Sequence, residues 1–149
     1  MGIDMEFAGL SLDRPKIMGV VNITPDSFSD GGEAFDHSAA IERGVALAAD
    51  GADIIDIGGE STRPGAQPIS RAEELSRVLP VVRELASAGI LVSIDTRHAA
   101  VMERAIDAGA GIVNDVTALT GDPRSLAVVA GSHVSVVLMH MKGDPRTMQ

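Results

Sequence analysis

The chain has 149 residues, 45% of them hydrophobic, which is enough apolar material for one domain with a sizeable core. A formal net charge of -9 excludes nucleic acid and acidic membrane as general partners, because either asks for a basic face. There is no cysteine, so disulfides and thiolate metal sites are excluded too.

The N-terminal Met1-Gly-Ile-Asp-Met-Glu6 lacks the basic flank and apolar stretch of a signal peptide, and no apolar run is long enough to span a bilayer. The expectation is a cytoplasmic protein. Five short runs rich in Val and Ile follow, at Ile17–Ile23, Asp53–Gly58, Leu91–Asp95, Gly111–Val116 and Val134–Met141. They are nearly continuous rather than alternating, as strands buried on both faces are.

Helical patterns fill the gaps. Ser38–Asp50 places Ile41, Val45 and Ala49 on one stripe before a stop at Gly51. Ser70 and Glu73 form a capping box that opens a second helix, with Leu75, Val78, Leu79, Val82, Leu85 and Ala86 inward and Gly89 at its end. Pro80 lies inside this helix and predicts a kink. Thr96 precedes a third helix carrying Val101, Met102, Ala105 and Ile106, and Asp122-Pro123 opens a short fourth that Gly131 closes.

Strand–helix alternation predicts an α/β fold with a parallel sheet and right-handed crossovers, either an open doubly wound sheet or a closed barrel. The dinucleotide fingerprint should follow a strand and open a helix; Gly109-Ala-Gly111 instead precedes a strand, and no Walker motif is present. The chain also stops soon after its fifth strand, which favours a barrel in partial form. The expected architecture is therefore a parallel α/β barrel of which residues 1–149 carry the front portion, about five strands.

Each strand finishes on a polar side chain: Asn22 with Thr24, Asp56, Asp95, Asn114 with Asp115, and His140. The ligand crevice of parallel α/β folds lies at that end, and five strands in succession point to a site more than to capping. Two connections at the same end look specialised. Thr24–Gly32 is long, ends in a glycine pair and holds Phe28, which reads as a substrate-gripping lid. Its Asp26 and Asp30 do not make a calcium loop, since Phe28 stands where a ligand oxygen belongs and no Glu closes the loop. Gly58–Gly65 offers glycines for close backbone approach, the Ser61 and Thr62 hydroxyls, and an Arg63 fork suited to phosphate oxygens. His37, His98, His133 and His140 show no metal-ligand spacing.

Residues 17–32, IMGVVNITPDSFSDGG, and 51–66, GADIIDIGGESTRPGA, resemble the two signature segments of the dihydropteroate synthase family. Ser93-Ile-Asp-Thr96, Asn114-Asp115 and Leu138-Met-His-Met141 match further segments in order, so the resemblance covers essentially the whole chain. It implies a (β/α)8 barrel that joins p-aminobenzoate to 6-hydroxymethyl-7,8-dihydropterin diphosphate, releasing pyrophosphate in folate synthesis. It further implies that Asp95 and Asn114 bond the pterin edge and that Thr62 and Arg63 take the diphosphate, with Ser61 and Met139 as further substrate-binding residues. Asn22 and Asp26 become ligands to Mg2+. Phe28 and Pro64 become walls of the aminobenzoate pocket, and Asp30 the group facing a developing pterin cation. A homodimer is implied for the full-length enzyme, with these small molecules as its ligands.

The family continues for three more strands, and a barrel of this class runs to about 250 residues. Two other readings keep the barrel. A methyltetrahydrofolate-type methyltransferase would share the strand-end Asp and Asn without needing the Ser-Thr-Arg loop. A non-catalytic pterin-binding paralogue would have no reason to keep Asn22, Asp26, Thr62, Arg63 and Asp95 together.

Overall fold

The computed structural model describes residues 5–24, 36–61 and 65–140. Asp26, Phe28, Asp30, Thr62, Arg63 and Pro64 lie outside the described residues.

A small antiparallel hairpin comes first, β1 (Glu6–Phe7) and β2 (Leu10–Ser11), turning at Ala8 and Gly9 with positive φ. Two-residue strands leave no periodic trace, so sequence reasoning missed them. Arg14 and the amide of Ile17 then bind the Asp53 carboxylate at 2.9 and 2.8 Å, tying the chain's entry to the foot of the fourth strand.

The five predicted strands form one parallel sheet: β3 (Met18–Asn22), β4 (Ile54–Gly58), β5 (Val92–Asp95), β6 (Ile112–Asp115) and β7 (Ser135–Leu138). They lie side by side in chain order. A doubly wound sheet reverses its strand order at a switch point; this one never does, which is the order of a barrel wall.

Among the described residues four helices connect the strands: α1 (His37–Ala49), α2 (Arg71–Ser87), α3 (Ala99–Asp107) and α4 (Ser125–Ala130). Their apolar faces pack on Val21, Ile55, Ile57, Val92, Ile94 and Val113, so that one face of the sheet carries the helical core.

The face of α1 differs from expectation. Val45 is exposed, and the packed residues are Ala40, Ile41, Gly44, Leu47 and Ala48. Gly44 explains the rotation: a Cβ there would come within 2.8 Å of Leu85 Cδ1, so α1 turns its smallest side chain to α2. Nor does Pro80 interrupt α2, which runs as one helix of 17 residues. Proline removes the amide that should bond the carbonyl four residues earlier. That carbonyl, Ser76 O, accepts from His37 Nε2 of α1 at 2.8 Å.

The imidazole thus replaces a missing helical donor. Unfolding measurements on His37→Ala should show a loss of about 1 kcal/mol, the usual net value of one hydrogen bond. In a Pro80→Ala background, where residue 80 regains its N–H, the same change should cost much less. Equal losses in both backgrounds would disconnect His37 from the proline.

Candidate active site

The register sorts the strand-end polar residues onto two faces. Across the sheet, Asn22 pairs with Gly58, Gly58 with Asp95, Asp95 with Asn114 and Asn114 with Val137. Side chains alternate along a strand, so this row points away from the helices. One step deeper on the same face run Val20, Asp56, Ser93 and Ile112. Asn22, Asp95 and Asn114 are therefore neighbours on one floor, as predicted, with Gly58 as a gap among them.

Asp56 belongs to the layer beneath that floor and is only 2% exposed. It accepts from the Ser93 hydroxyl at 2.7 Å and from Asn114 Nδ2 at 3.3 and 3.4 Å. Anchoring the amide nitrogen in this way leaves Asn114 Oδ1 to face a ligand as an acceptor. Burial raises the Asp56 carboxyl above its ordinary value, partly offset by the Ser93 and Asn114 bonds. The support that Ser93 gives Asp56, and the place of Gly58 in the floor, escaped sequence reasoning, although a signal existed. Asp56-x-Gly58 and Ser93-x-Asp95 share a spacing of two, so aligning the floor aligns the layer below it.

The Asp95 carboxyl has no hydrogen-bond partner among the described residues. Burial first, and then the charges of Asp56, Asp115 and Glu74, push its carboxyl up to about 7. An unpartnered carboxyl on the floor that titrates near neutrality is poised to accept from a donor-rich ligand. Asn22 Oδ1 is likewise without a hydrogen-bond partner among the described residues, and stands 3.4 Å from where a Gly58 Cβ would sit.

Two residues at strand ends do different work. Asp115 faces the helical side, fully buried, and accepts from Thr117 N, Thr117 Oγ1 and Leu119 N. It holds the turn in which Ala118 and Leu119 both adopt positive φ, a conformation that costs side-chain-bearing residues energy. Thr96 does not cap α3. Its hydroxyl donates to Glu74 Oε2 at 2.6 Å and accepts from His98 N, while Asp122 Oδ2 receives the first amide of α3. Glu74 is wholly buried, and its other oxygen meets His98 Nδ1 at 2.7 Å. This network braces the end of β5 directly behind Asp95, and nothing in helical periodicity signals it.

Met139 follows β7 at the same end. With Val116, Thr117, Ala118 and His140 it lines a hollow of about 330 Å³. A larger hollow of about 600 Å³ lies between α3 and α4, beside Gly111 and Val134 at the opposite strand ends, away from this chemistry. Ser61 is exposed at the start of the second specialised loop. Among the described residues no group of three or more His, Asp or Glu side chains is arranged to hold a metal ion. No described helix is long and apolar enough to cross a membrane.

Comparison with known proteins agrees with this geometry. A family model described as "Pterin binding enzyme" matches residues 18–149. A dihydropteroate synthase of Synechocystis is 47% identical over 137 residues, covering 91% of this chain and 47% of the relative. The structure of Xanthomonas albilineans dihydropteroate synthase with 4-aminobenzoic acid superposes with a TM-score of 0.82 at 53% identity, covering 91% of this chain and 50% of that one. That of Yersinia pestis dihydropteroate synthase with a sulfonamide drug gives 0.83 at 45% identity, covering 97% and 53%. The chain spans about half the length of these relatives, and its sheet and helices are part of a TIM barrel.

Proposed function

Because the chain belongs to the family of pterin-binding enzymes, we propose that it carries the pterin and diphosphate subsites of a dihydropteroate synthase. The reaction would join p-aminobenzoate to 6-hydroxymethyl-7,8-dihydropterin diphosphate and release pyrophosphate, in the cytoplasm and as a homodimer at full length. The observation that carries this reading is the acceptor floor. Asp95 lacks a partner among the described residues, and Asn114 is fixed by Asp56 with its oxygen free. A pterin edge presents adjacent N–H donors, and a carboxylate beside an amide oxygen satisfies them.

The role of the protein is then electrostatic. The bond that breaks joins the exocyclic methylene to a diphosphate oxygen; the one that forms joins it to the arylamine nitrogen, which sheds a proton. Thr62 and Arg63, with Ser61, would hold the departing diphosphate, and Asp30 would face the positive charge that develops on the pterin. Phe28 and Pro64 would flank the arylamine, and Met139 the pterin. Asn22 and Asp26 offer the oxygen donors that suit a hard cation, and the uncommitted Asn22 Oδ1 fits that role. A magnesium ion held there would supply charge neutralisation to the diphosphate oxygens.

Calorimetry with pterin diphosphate, with and without Mg2+, followed by an arylamine-coupling assay, tests the proposal in the protein at its full natural length. Binding without product would favour a non-catalytic pterin-binding module. Arg63→Ala should weaken pterin diphosphate at least tenfold, a charge-assisted contact's usual effect, and free pterin hardly at all. Equal losses for the two ligands would contradict the assignment of Arg63.

A further inference from the structure

The segment after β4 is fixed at its neck by groups that the proposed reaction does not use. The register that pairs Gly58 with Asp95 brings Glu60 and Arg97, two residues further on, together across the same two strands. Arg97 Nε donates to Glu60 Oε1 at 2.9 Å, and the amide of Ile69 donates to Glu60 Oε2 at 3.2 Å. The Glu60 side chain is 8% exposed, against 41% for Arg97, so the carboxylate lies inside and the arginine covers it. Burial pushes the Glu60 carboxyl up, but the bonds from Arg97 and Ile69 outweigh it and hold it below its ordinary value. A second anchor sits one residue earlier. Arg77 Nη1 donates to the Gly59 carbonyl at 2.6 Å, and its Nη2 is braced by Glu73 at 2.8 Å.

One carboxylate thus closes the chain at both flanks, at residues 60 and 69, and ties the closure to the strand that bears Asp95. We propose that Glu60, held by Arg97, is a positioning residue that fixes both flanks of the diphosphate-binding segment relative to the strand that bears Asp95. The inference rests on the reading of that segment as the diphosphate subsite. Flanks held in advance lower the entropic cost that a ligand would otherwise meet in fixing them.

The chemistry of the clasp specifies the test. An amide has one acceptor oxygen, so Glu60→Gln can satisfy Arg97 or the Ile69 amide but not both. Arg97→Met removes one donor and leaves the Ile69 contact. In the protein at its full natural length, Glu60→Gln should raise the Kd for 6-hydroxymethyl-dihydropterin diphosphate about tenfold. The Kd for the corresponding free pterin should stay within about twofold, because the floor is untouched. Exchange of the Ile69 amide hydrogen should accelerate about tenfold or more. The double variant should be no worse than Glu60→Gln alone, since both substitutions break one unit.

Equal weakening of the two ligands, or unchanged Ile69 exchange, would overturn the positioning role. So would additive losses in the double variant. If the parent binds neither ligand the functional reading falls, and Ile69 exchange in Glu60→Gln and Arg97→Met then decides the clasp alone.

Discussion

Asp95→Asn should abolish most pterin affinity while making the protein more stable above neutral pH. The two effects share a cause. In the folded chain the Asp95 carboxyl titrates at about 7, raised by burial and by the charges of Asp56, Asp115 and Glu74. In the unfolded chain it titrates near the ordinary carboxyl value of about 3.9. A raised group binds more protons in the folded state, so its contribution to stability is fully present at low pH. That contribution declines as pH rises between the two pKa values, and is lost above about 7. Asparagine has no such dependence. The difference in melting temperature between Asp95→Asn and the parent should therefore widen from pH 4.5 to pH 7 and stay level above it. A difference independent of pH would mean that Asp95 is not held protonated by the fold.

Ligand affinity should move the opposite way. A donor edge is best met by the ionised carboxylate, so binding below pH 7 must release a proton. Parent affinity for the pterin should rise with pH and level off near 7, whereas the asparagine variant should bind weakly at every pH. Its deficit at pH 8 should be about 10- to 100-fold, the range for hydrogen bonds to a charged group. Calorimetry in buffers of different ionisation enthalpy reads both the affinity and the proton. If both results hold, the electrostatic cost that the fold carries at Asp95 is stability traded for recognition.

How much of this was legible in the sequence depended on parity. The strands announced themselves through aliphatic runs such as Ile54-Ile-Asp-Ile57, and Ser70 caps α2 as expected, its Oγ accepting from Glu73 N, although the Glu73 carboxylate pairs with Arg77 instead of completing the box. Asn22, Asp95 and Asn114 were correctly placed at strand ends. Buried strands carry apolar residues on both faces, however, so composition could not say which polar residues share a side. Asp115 follows Asn114 directly and thereby faces the helices, where it shapes a turn. Asp56 lies two residues behind Gly58 and supports the floor from below. The polar links among Glu60, Glu74, Arg97 and His98 join residues 24 to 37 positions apart. Local patterns reach neither that distance nor the rotation that Gly44 imposes on α1.

The adjacent glycines at the end of β4 should separate recognition from folding. Both stand in the same motif, yet they face opposite sides of the sheet. A Cβ on Gly59 would come within 2.9 Å of Val78 Cγ1 and 3.4 Å of the Glu74 carbonyl, in the packed layer between β4 and α2. Gly59→Ala must push α2 away and should cost about 1–3 kcal/mol, the range for overpacked cores. A Cβ on Gly58 would meet Asn22 Oδ1 at 3.4 Å, Asp95 Cβ at 3.5 Å and Asp95 Oδ2 at 3.6 Å, all ordinary van der Waals contacts. Gly58 has no positive φ, so alanine there strains nothing, and it removes unfolded-state freedom besides. The methyl would instead stand on the floor between the Asn22 amide and the Asp95 carboxylate. Gly58→Ala should melt at or above the parent temperature and bind pterin at least tenfold more weakly, with Gly58→Val weaker still. Thermal unfolding and calorimetry on the same three variants check the contrast. Near-parental pterin binding by a well-folded Gly58→Ala would mean that the ligand does not rest on the Asn22–Gly58–Asp95 row, and the acceptor floor would have to be sought elsewhere on the sheet.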